Sequence, residues 1–272
     1  MKHLLSLFVA ALLFGGMAHA QEAAYRFAQG KEFTYTIEQT NMTLQEAPGQ
    51  TTTFNSELTM RVTYTLLETL ENGNLKLQVT IVSALAINEG PNGTQSLGAD
   101  MAGKSVVFEM NGTGQVVDVD SSIREIESEG AGLLAAATNI FPRLDGSKIR
   151  EGANWDVTEK DTSGNDTRGF IYEETERSYS VKGKKTVAGH ECLEIALASE
   201  SESEGDMVNG DQELSVNGKR NGTATIMYAP TAGIITSFEA ELNTDQVITL
   251  PAQNMRVPIT ATQNVKILLV EN

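Results

Sequence analysis

LTMRVTYTLLETLENGNLKLQVTI, residues 58–81, decides the fold class of this chain. Apolar side chains occupy every second position over residues 58–66, and threonines and an arginine stand between them. The same alternation runs from Leu75 to Ile81, after the sequence Glu71-Asn-Gly-Asn74. An Asn-Gly pair accepts the positive φ that tight hairpin turns require. The stretch therefore predicts two antiparallel strands, joined by a hairpin, with one buried face.

Alternation with a period of two recurs along most of the chain. In the second half it predicts strands at residues 154–160, 168–182, 189–204, 206–217, 222–229, 233–247 and 256–270. NGTG at 111–114, KGKKTVAG at 182–189 and NGKRN at 217–221 are interpreted as turns. Long strands joined by tight turns curl rather than stay flat. We predict a mainly β fold, a strongly curved antiparallel sheet, half-barrel or barrel-like, of about ten or eleven strands.

One stretch, SSIREIESEGAGLLAAATNIF at residues 121–141, breaks the alternation. Ser122 and Glu125 have the spacing of a capping box, in which a hydroxyl and a carboxylate bind the free amides of a first helical turn. Alanines and leucines follow, and Pro142 ends the pattern. We predict one central helix, lying over the concave face of the sheet.

Two similar motifs flank this helix. Gly30-Lys-Glu-Phe33 and Gly152-Ala-Asn-Trp155 each place an aromatic side chain three residues after a glycine, at the start of a predicted strand. We predict a single β-rich domain over residues 21–272. Within it, two pseudo-repeated halves, about 24–120 and 148–272, are joined by the helix.

The first twenty residues have the pattern of an export signal. Lys2 and His3 give a positive start, residues 4–14 are mostly apolar, and Ala18-His19-Ala20 is a cleavage site of small residues. The apolar run is too short to cross a membrane, and no cysteine lies near the cleavage site for a lipid anchor. We expect an exported protein, periplasmic or extracellular, that is soluble and neither membrane-spanning nor lipid-anchored.

The chain carries 36 acidic and 20 basic residues, a formal charge of −16. Such a surface repels phosphate backbones, so we expect no nucleic-acid partner. His190 is the only histidine after residue 20, and the sequence holds no G-x-S-x-G, HExxH, CxxC, Walker A or Rossmann glycine motif. We therefore expect no enzyme and no cofactor. Chemistry by carboxylates alone stays open, because acids are plentiful.

His190-Glu-Cys192-Leu-Glu194 is a weak candidate for a metal site. On a strand, these three side chains share one face and offer an imidazole, a thiol and a carboxylate. The alternative is a polar strand face, because the residues on the other side include Leu193 and Ile195, which are typical of a core.

The apolar stretch over residues 133–141 has two interpretations. As a core helix it completes the domain. As a lid it closes an apolar cavity, with Leu133, Leu134, Ile140 and Phe141 lining the ligand and Trp155 forming a wall.

Two segments, FPRLDGSKIREGANW at 141–155 and YSVKGKKTVAGHECLEIAL at 179–197, together with the export signal, resemble a known class of protein. These are exported bacterial proteins of uncharacterised function whose sheet is similar to the half-barrels of Lol-type lipoprotein carriers. The resemblance implies an apolar concavity that holds acyl chains beneath helices, and it implies no catalytic residues.

The favoured hypothesis is a non-catalytic protein that binds or carries an apolar, lipid-like ligand in the bacterial envelope. The first alternative is an interaction or scaffold protein with an envelope protein as partner, whose core is filled. The second is a carboxylate-based glycan hydrolase, which requires two acids facing each other across a cleft.

Overall fold

The computed structural model describes residues 21–121, 128–146, 148–165, 168–209 and 212–270. The predicted export signal lies outside these residues. The described part is mainly β and contains one α-helix, α1 (Ser128–Thr138), with short 3-10 turns at Ala99–Met101 and Pro251–Gln253.

The strands are mostly long and follow one another closely. They are β1 (Gln21–Glu22), β2 (Glu32–Ala47), β3 (Gln50–Thr69), β4 (Leu75–Gly90), β5 (Gly93–Leu97), β6 (Ser105–Met110), β7 (Val116–Val119), β8 (Lys148–Ile149), β9 (Asn154–Asn165), β10 (Gly169–Val187), β11 (His190–Asn209), β12 (Gln212–Ala229), β13 (Ile234–Leu250) and β14 (Met255–Val270).

Twelve strands form one antiparallel sheet, which confirms the predicted fold class and exceeds the expected number of strands. The order is β7-β6-β4-β3-β2-β14-β13-β12-β11-β10-β9, and β5 pairs with the free end of β4. β1 and β8 make a separate two-stranded sheet. The large sheet is not closed into a barrel, because β7 and β9 stand at its two ends in the described residues.

The hairpin predicted at residues 58–81 is confirmed. The Leu70 amide donates a hydrogen bond to the Asn74 carbonyl at 2.8 Å, and Gly73 adopts a φ of 83° in the turn. Met60 and Leu77, on the apolar stripes of β3 and β4, are fully buried. The local alternation therefore predicted correctly that β3 pairs with β4 and which face of this hairpin is buried.

The predicted turn at 217–221 is wrong, because β12 runs unbroken through it. β12 covers most of the two strands expected at 206–217 and 222–229, and residues 206–209 belong to β11. A Cβ on Gly218 would lie 3.0 Å from Ser203 Oγ, and one on Gly222 would lie 2.9 Å from the Glu241 carbonyl oxygen. These glycines therefore let neighbouring strands approach closely instead of turning the chain.

The described part of the helix is shorter than the predicted 121–141, and its capping box falls outside the described residues. α1 packs mainly against β4 and β6, near one end of the strand order. Its last turn is closed by Asn139, whose side-chain amide donates to the Ala135 carbonyl at 2.9 Å. Most of the same sheet face is therefore not covered by α1.

Phe141 is the centre of an aromatic cluster beneath the end of the helix. It is 6% exposed, and four rings meet it edge-on, a favourable arrangement. The ring-centroid distances are 5.3 Å to Tyr25, 5.6 Å to Phe27, 6.3 Å to Tyr35 and 5.0 Å to Tyr64.

Hydrogen bonds fix the chain that follows α1, residues 139–146, which we call the post-helix segment. Tyr25 donates its hydroxyl to the Pro142 carbonyl at 2.8 Å, and the Leu144 amide donates to the Thr113 carbonyl at 2.9 Å. Tyr64 donates to the Ala137 carbonyl at 2.5 Å, on the last turn of the helix. Burial raises the pKa of Tyr25 and of Tyr64 well above the usual value, so both remain neutral donors.

We predict that Phe141→Ala lowers the free energy of unfolding by about 3–5 kcal/mol, because it opens a cavity where four rings meet. Phe54→Ala is the matched control, since Phe54 is 39% exposed. It should cost less than about 1 kcal/mol. Urea unfolding followed by circular dichroism measures both. Equal losses would show that the cluster does not anchor the post-helix segment.

Candidate ligand cavity

One row of paired residues crosses nine strands on the face that carries the core. The row consists of Trp155, Tyr179, Leu197, Ala224, Ala240, Val265, Gln39, Leu58 and Ala86. The next row on this face, away from the core, contains Arg177, Ser199, Gly222, Leu242, Gln263, Asn41 and Ser56. The first row therefore marks the border between apolar core and polar sheet.

A cavity of about 1030 Å³ lies at this border, and we call it the inner cavity. One side is the sheet, with residues of β2, β3, β9, β10, β11, β13 and β14. The other side is formed by Ala136, by residues 139–144, by the loop at 113–115 and by Val116 at the start of β7. The cavity thus occupies the part of the core face next to that covered by α1.

Five of its apolar lining residues are only half-buried. They pack against the core and also border the cavity: Leu58, Val157, Leu197, Phe238 and Val265. Ile37 and Ile267, which are buried in the core, also line the inner cavity. An apolar ligand in the cavity would remove these side chains from water, at about 25 cal/mol for each Å² covered.

Three charged residues form a network at the wall of the inner cavity. Arg143, in the post-helix segment, contacts Glu159 Oε1 through Nε at 2.7 Å and Nη2 at 2.6 Å. Arg177, on β10, binds the other oxygen, Oε2, through Nη1. All three side chains are 21–30% exposed. One carboxylate therefore ties the post-helix segment to the sheet through two arginines.

The two arginines also determine the ionisation of Glu159. Partial burial alone would raise the pKa of its carboxyl, but the charges and hydrogen bonds of Arg177 and Arg143 outweigh burial and lower the pKa from 4.5. Glu159 is thus ionised at neutral pH. A general acid needs the opposite, a raised pKa.

Trp155 stacks on Tyr179, with ring centroids 4.7 Å apart and planes 4° apart. Tyr179 lines the cavity, and burial raises its pKa to about 12. Trp155 is 9% exposed, and its indole nitrogen is the one buried side-chain nitrogen or oxygen without a hydrogen-bond partner among the described residues. Trp155 therefore stands beside Tyr179, on the neighbouring strand, and supports that part of the cavity wall.

The proposed lid residues divide into two groups. Ile140 and Phe141 line the inner cavity. Leu134 is fully buried and Leu133 is half-buried against the core, on the helix. Because Leu134 and Phe141 are also core residues, replacing them would disturb folding as well as any ligand.

Within the described chain, no three His, Cys, Asp or Glu side chains are grouped as a metal site would require. Cys192 is fully buried beside Ala229, its sulfur 3.3 Å from Thr236 Oγ1, and burial raises the pKa of the thiol. Glu194 pairs with Lys185 at 2.8 Å. The expectation that Cys192 lies on a less buried face is wrong, since a small second core covers it.

A second depression, about 1120 Å³, lies on the opposite face of the sheet, and we call it the outer groove. Small side chains such as Ala196, Ala198 and Thr223 line it. It also contains two lysines and five acids, namely Glu38, Glu57, Asp156, Glu239 and Glu241. The five acids stand around small apolar side chains, so polarity does not separate the outer groove from the inner cavity; the inner cavity differs in that it lies against the apolar core.

The sequence analysis missed the arginine–glutamate network, although a signal was present. Glu159 follows Trp155 and Val157 at a spacing of two, and Arg177 precedes Tyr179 and Val181 in the same way. A charged residue in phase with an apolar stripe must either find a partner or border solvent. This signal does not reveal Arg143, because Arg143 lies in a segment whose sequence has no periodicity.

Comparison with models of known protein families and with curated proteins gives no match. Among the described residues, no helix has the length and apolar character needed to cross a membrane. Function has to be inferred from the geometry of the chain itself.

We predict that Glu159→Gln lowers the free energy of unfolding by about 1–2 kcal/mol at pH 7, because two half-buried guanidinium groups lose their carboxylate. A carboxyl with a lowered folded-state pKa stabilises the fold above its unfolded pKa, and this contribution disappears as the pH falls through the folded value. The difference between native protein and variant should therefore shrink below pH 4.5.

Urea unfolding at pH 7 and at several acidic pH values measures this difference. Glu176→Gln is the control, because it makes the same charge change at an exposed position on β10. If the difference in free energy of unfolding between native protein and Glu159→Gln stayed constant from pH 7 to acidic pH, the two arginines would not stabilise the ionised Glu159 carboxylate.

Proposed function

We propose that this protein binds and carries an apolar, lipid-like ligand in its inner cavity without catalysing a reaction. The export signal expected at residues 1–20 belongs to the proposal and would place this function in the bacterial envelope, periplasmic or extracellular.

The observation that carries the proposal is the set of half-buried apolar side chains at the inner cavity. Sites for small ligands combine apolar side chains with a few polar groups and measure roughly 300–1000 Å³. The inner cavity has about 1030 Å³, enough for an acyl chain, and apolar side chains from six strands border it.

The curved shape of the sheet is part of the same proposal. Leu58 on β3 and Val157 on β9 border one cavity, although six strands separate them in the sheet. A half-barrel, as in the Lol-type carriers that the sequence resembles, would bring such distant strands to one concavity. The post-helix segment would close part of it.

Ile140 and Phe141 would then act as a fixed wall rather than a swinging lid. Phe141 contacts four rings, and hydrogen bonds from Tyr25 and Leu144 hold the flanking backbone. The ligand would enter along the polar side of the cavity, where the next row of the sheet is hydrophilic.

We predict that filling the cavity abolishes binding while the fold persists. Leu197→Trp places an indole in the inner cavity from a half-buried position, so lipid affinity should fall at least about tenfold. Leu85→Trp is the matched control, since Leu85 is 46% exposed on β4. Native mass spectrometry after incubation with envelope lipids measures the adduct, and circular dichroism verifies folding.

A native protein that takes up no lipid from such mixtures would overturn the carrier proposal and favour an interaction protein, to be sought by partner capture. Equal loss in both tryptophan variants would contradict the inner cavity as the site. Turnover of a glycan panel, abolished by Asp161→Asn, would favour the carboxylate hydrolase instead.

A further inference from the structure

The inner cavity differs in charge from the rest of this acidic chain. On the core face its lining contains two basic side chains, Arg143 and Arg177, and two acidic ones, Glu159 and Asp161, because Lys160 alternates to the other face of β9 and pairs with Glu174. The outer groove has five acids and two lysines. Against a formal charge of −16 for the whole chain, the inner cavity is therefore locally neutral.

The positive charge of the cavity is concentrated on the two arginines, Arg143 and Arg177. A single carboxylate, Glu159, neutralises one of the two guanidinium charges. Each guanidinium carries five N–H donors, and the contacts to Glu159 use two nitrogens of Arg143 and one of Arg177. Unused donors therefore remain at the cavity wall, and the network of Arg143, Glu159 and Arg177 carries one net positive charge by itself.

Anchoring the post-helix segment does not require both arginines. The pair of Arg143 and Glu159 alone links that segment to β9. A second, partly desolvated cation costs free energy unless an anion compensates it. Planar guanidinium groups bind carboxylate and phosphate oxygens in a forked geometry, which makes a pair of them suited to an anionic headgroup.

The apolar lining begins directly beside this charge. Arg177 stands two residues before Tyr179 on β10, about 7 Å along the strand. Tyr179 and its cross-strand neighbour Leu197 both line the cavity. A ligand that binds the arginines with its head would therefore lay its chain along the row of Leu197, Val265 and Leu58.

We infer that the ligand is an anionic amphiphile, one apolar chain ending in a carboxylate or phosphate headgroup that Arg143 and Arg177 bind. The inference rests on the proposed function and specifies the class of its ligand. Glu159 then has two roles: it positions both arginines, and it weakens their attraction for the headgroup.

The test compares three ligands with the same eighteen-carbon chain, oleate, oleoyl lysophosphatidate and oleyl alcohol, by equilibrium binding at pH 7.4 and low salt. Native protein should bind at least one of the two anions about tenfold more tightly than the alcohol. Whichever anion is preferred identifies the headgroup as a carboxylate or a phosphate.

Two variants should change this preference in opposite directions. Arg177→Gln should lower the anion-to-alcohol affinity ratio about tenfold. Glu159→Gln should raise the ratio, because it frees both guanidinium groups from their carboxylate. Arg61→Gln, at an exposed position on β3, makes the same charge change as Arg177→Gln and should leave the ratio unchanged. A role in folding alone would not give opposite signs, and circular dichroism restricts the comparison to folded variants.

Equal affinity for alcohol and both anions would overturn the inferred headgroup and leave the carrier proposal standing. Binding of none of the three would instead count against the carrier proposal itself. A ratio that falls equally in Arg61→Gln and Arg177→Gln would attribute the preference to overall charge and also overturn the inference.

Discussion

The pairing of β2 with β14 is the constraint on which the rest of the structure depends. It joins the first and last long strands over twelve residue pairs, from Ile259 with Gln45 to Val270 with Thr34. Without it, β2–β7 and β9–β14 would be two separate sheets with free edges. Because the pairing is in register, the apolar rows of both halves meet, and one core face spans the domain. The contacts are remote in sequence, so they form only after a large loss of chain entropy.

The helix and the aromatic cluster cover only part of this core face, and the inner cavity lies beside the covered part. α1 lies on β4 and β6, and the aromatic cluster around Phe141 seals the neighbouring strands. Beyond the cluster, the post-helix segment stands off the sheet, and half-buried leucines and valines border a space of about 1030 Å³. The same rings that stabilise the fold therefore determine where the core stops and the inner cavity begins.

The arginine–glutamate network lies where folding and binding meet. Glu159 connects the post-helix segment to β10 through Arg143 and Arg177, and this network has two cations for one anion in a chain that is acidic overall. A partly buried cluster of this kind contributes little stability for its cost in desolvation. Its retention beside an apolar cavity is understandable if a ligand completes it, as we propose.

The sequence by itself determined the mainly β class, the antiparallel pairing of neighbouring strands, the buried stripes, and the existence of a helix near residues 128–138. Each of these depends on local periodicity or turn chemistry, as at Asn72-Gly73. The same local rule failed at Asn217-Gly218, because contact with Ser203 on the adjacent strand, not backbone preference, explains that glycine. Only the tertiary structure decided that β2 meets β14, that Leu134 and Phe141 are core, and that Arg143 lies against Glu159. These are contacts between residues far apart in the chain, or in a segment without periodicity, and no local pattern encodes them.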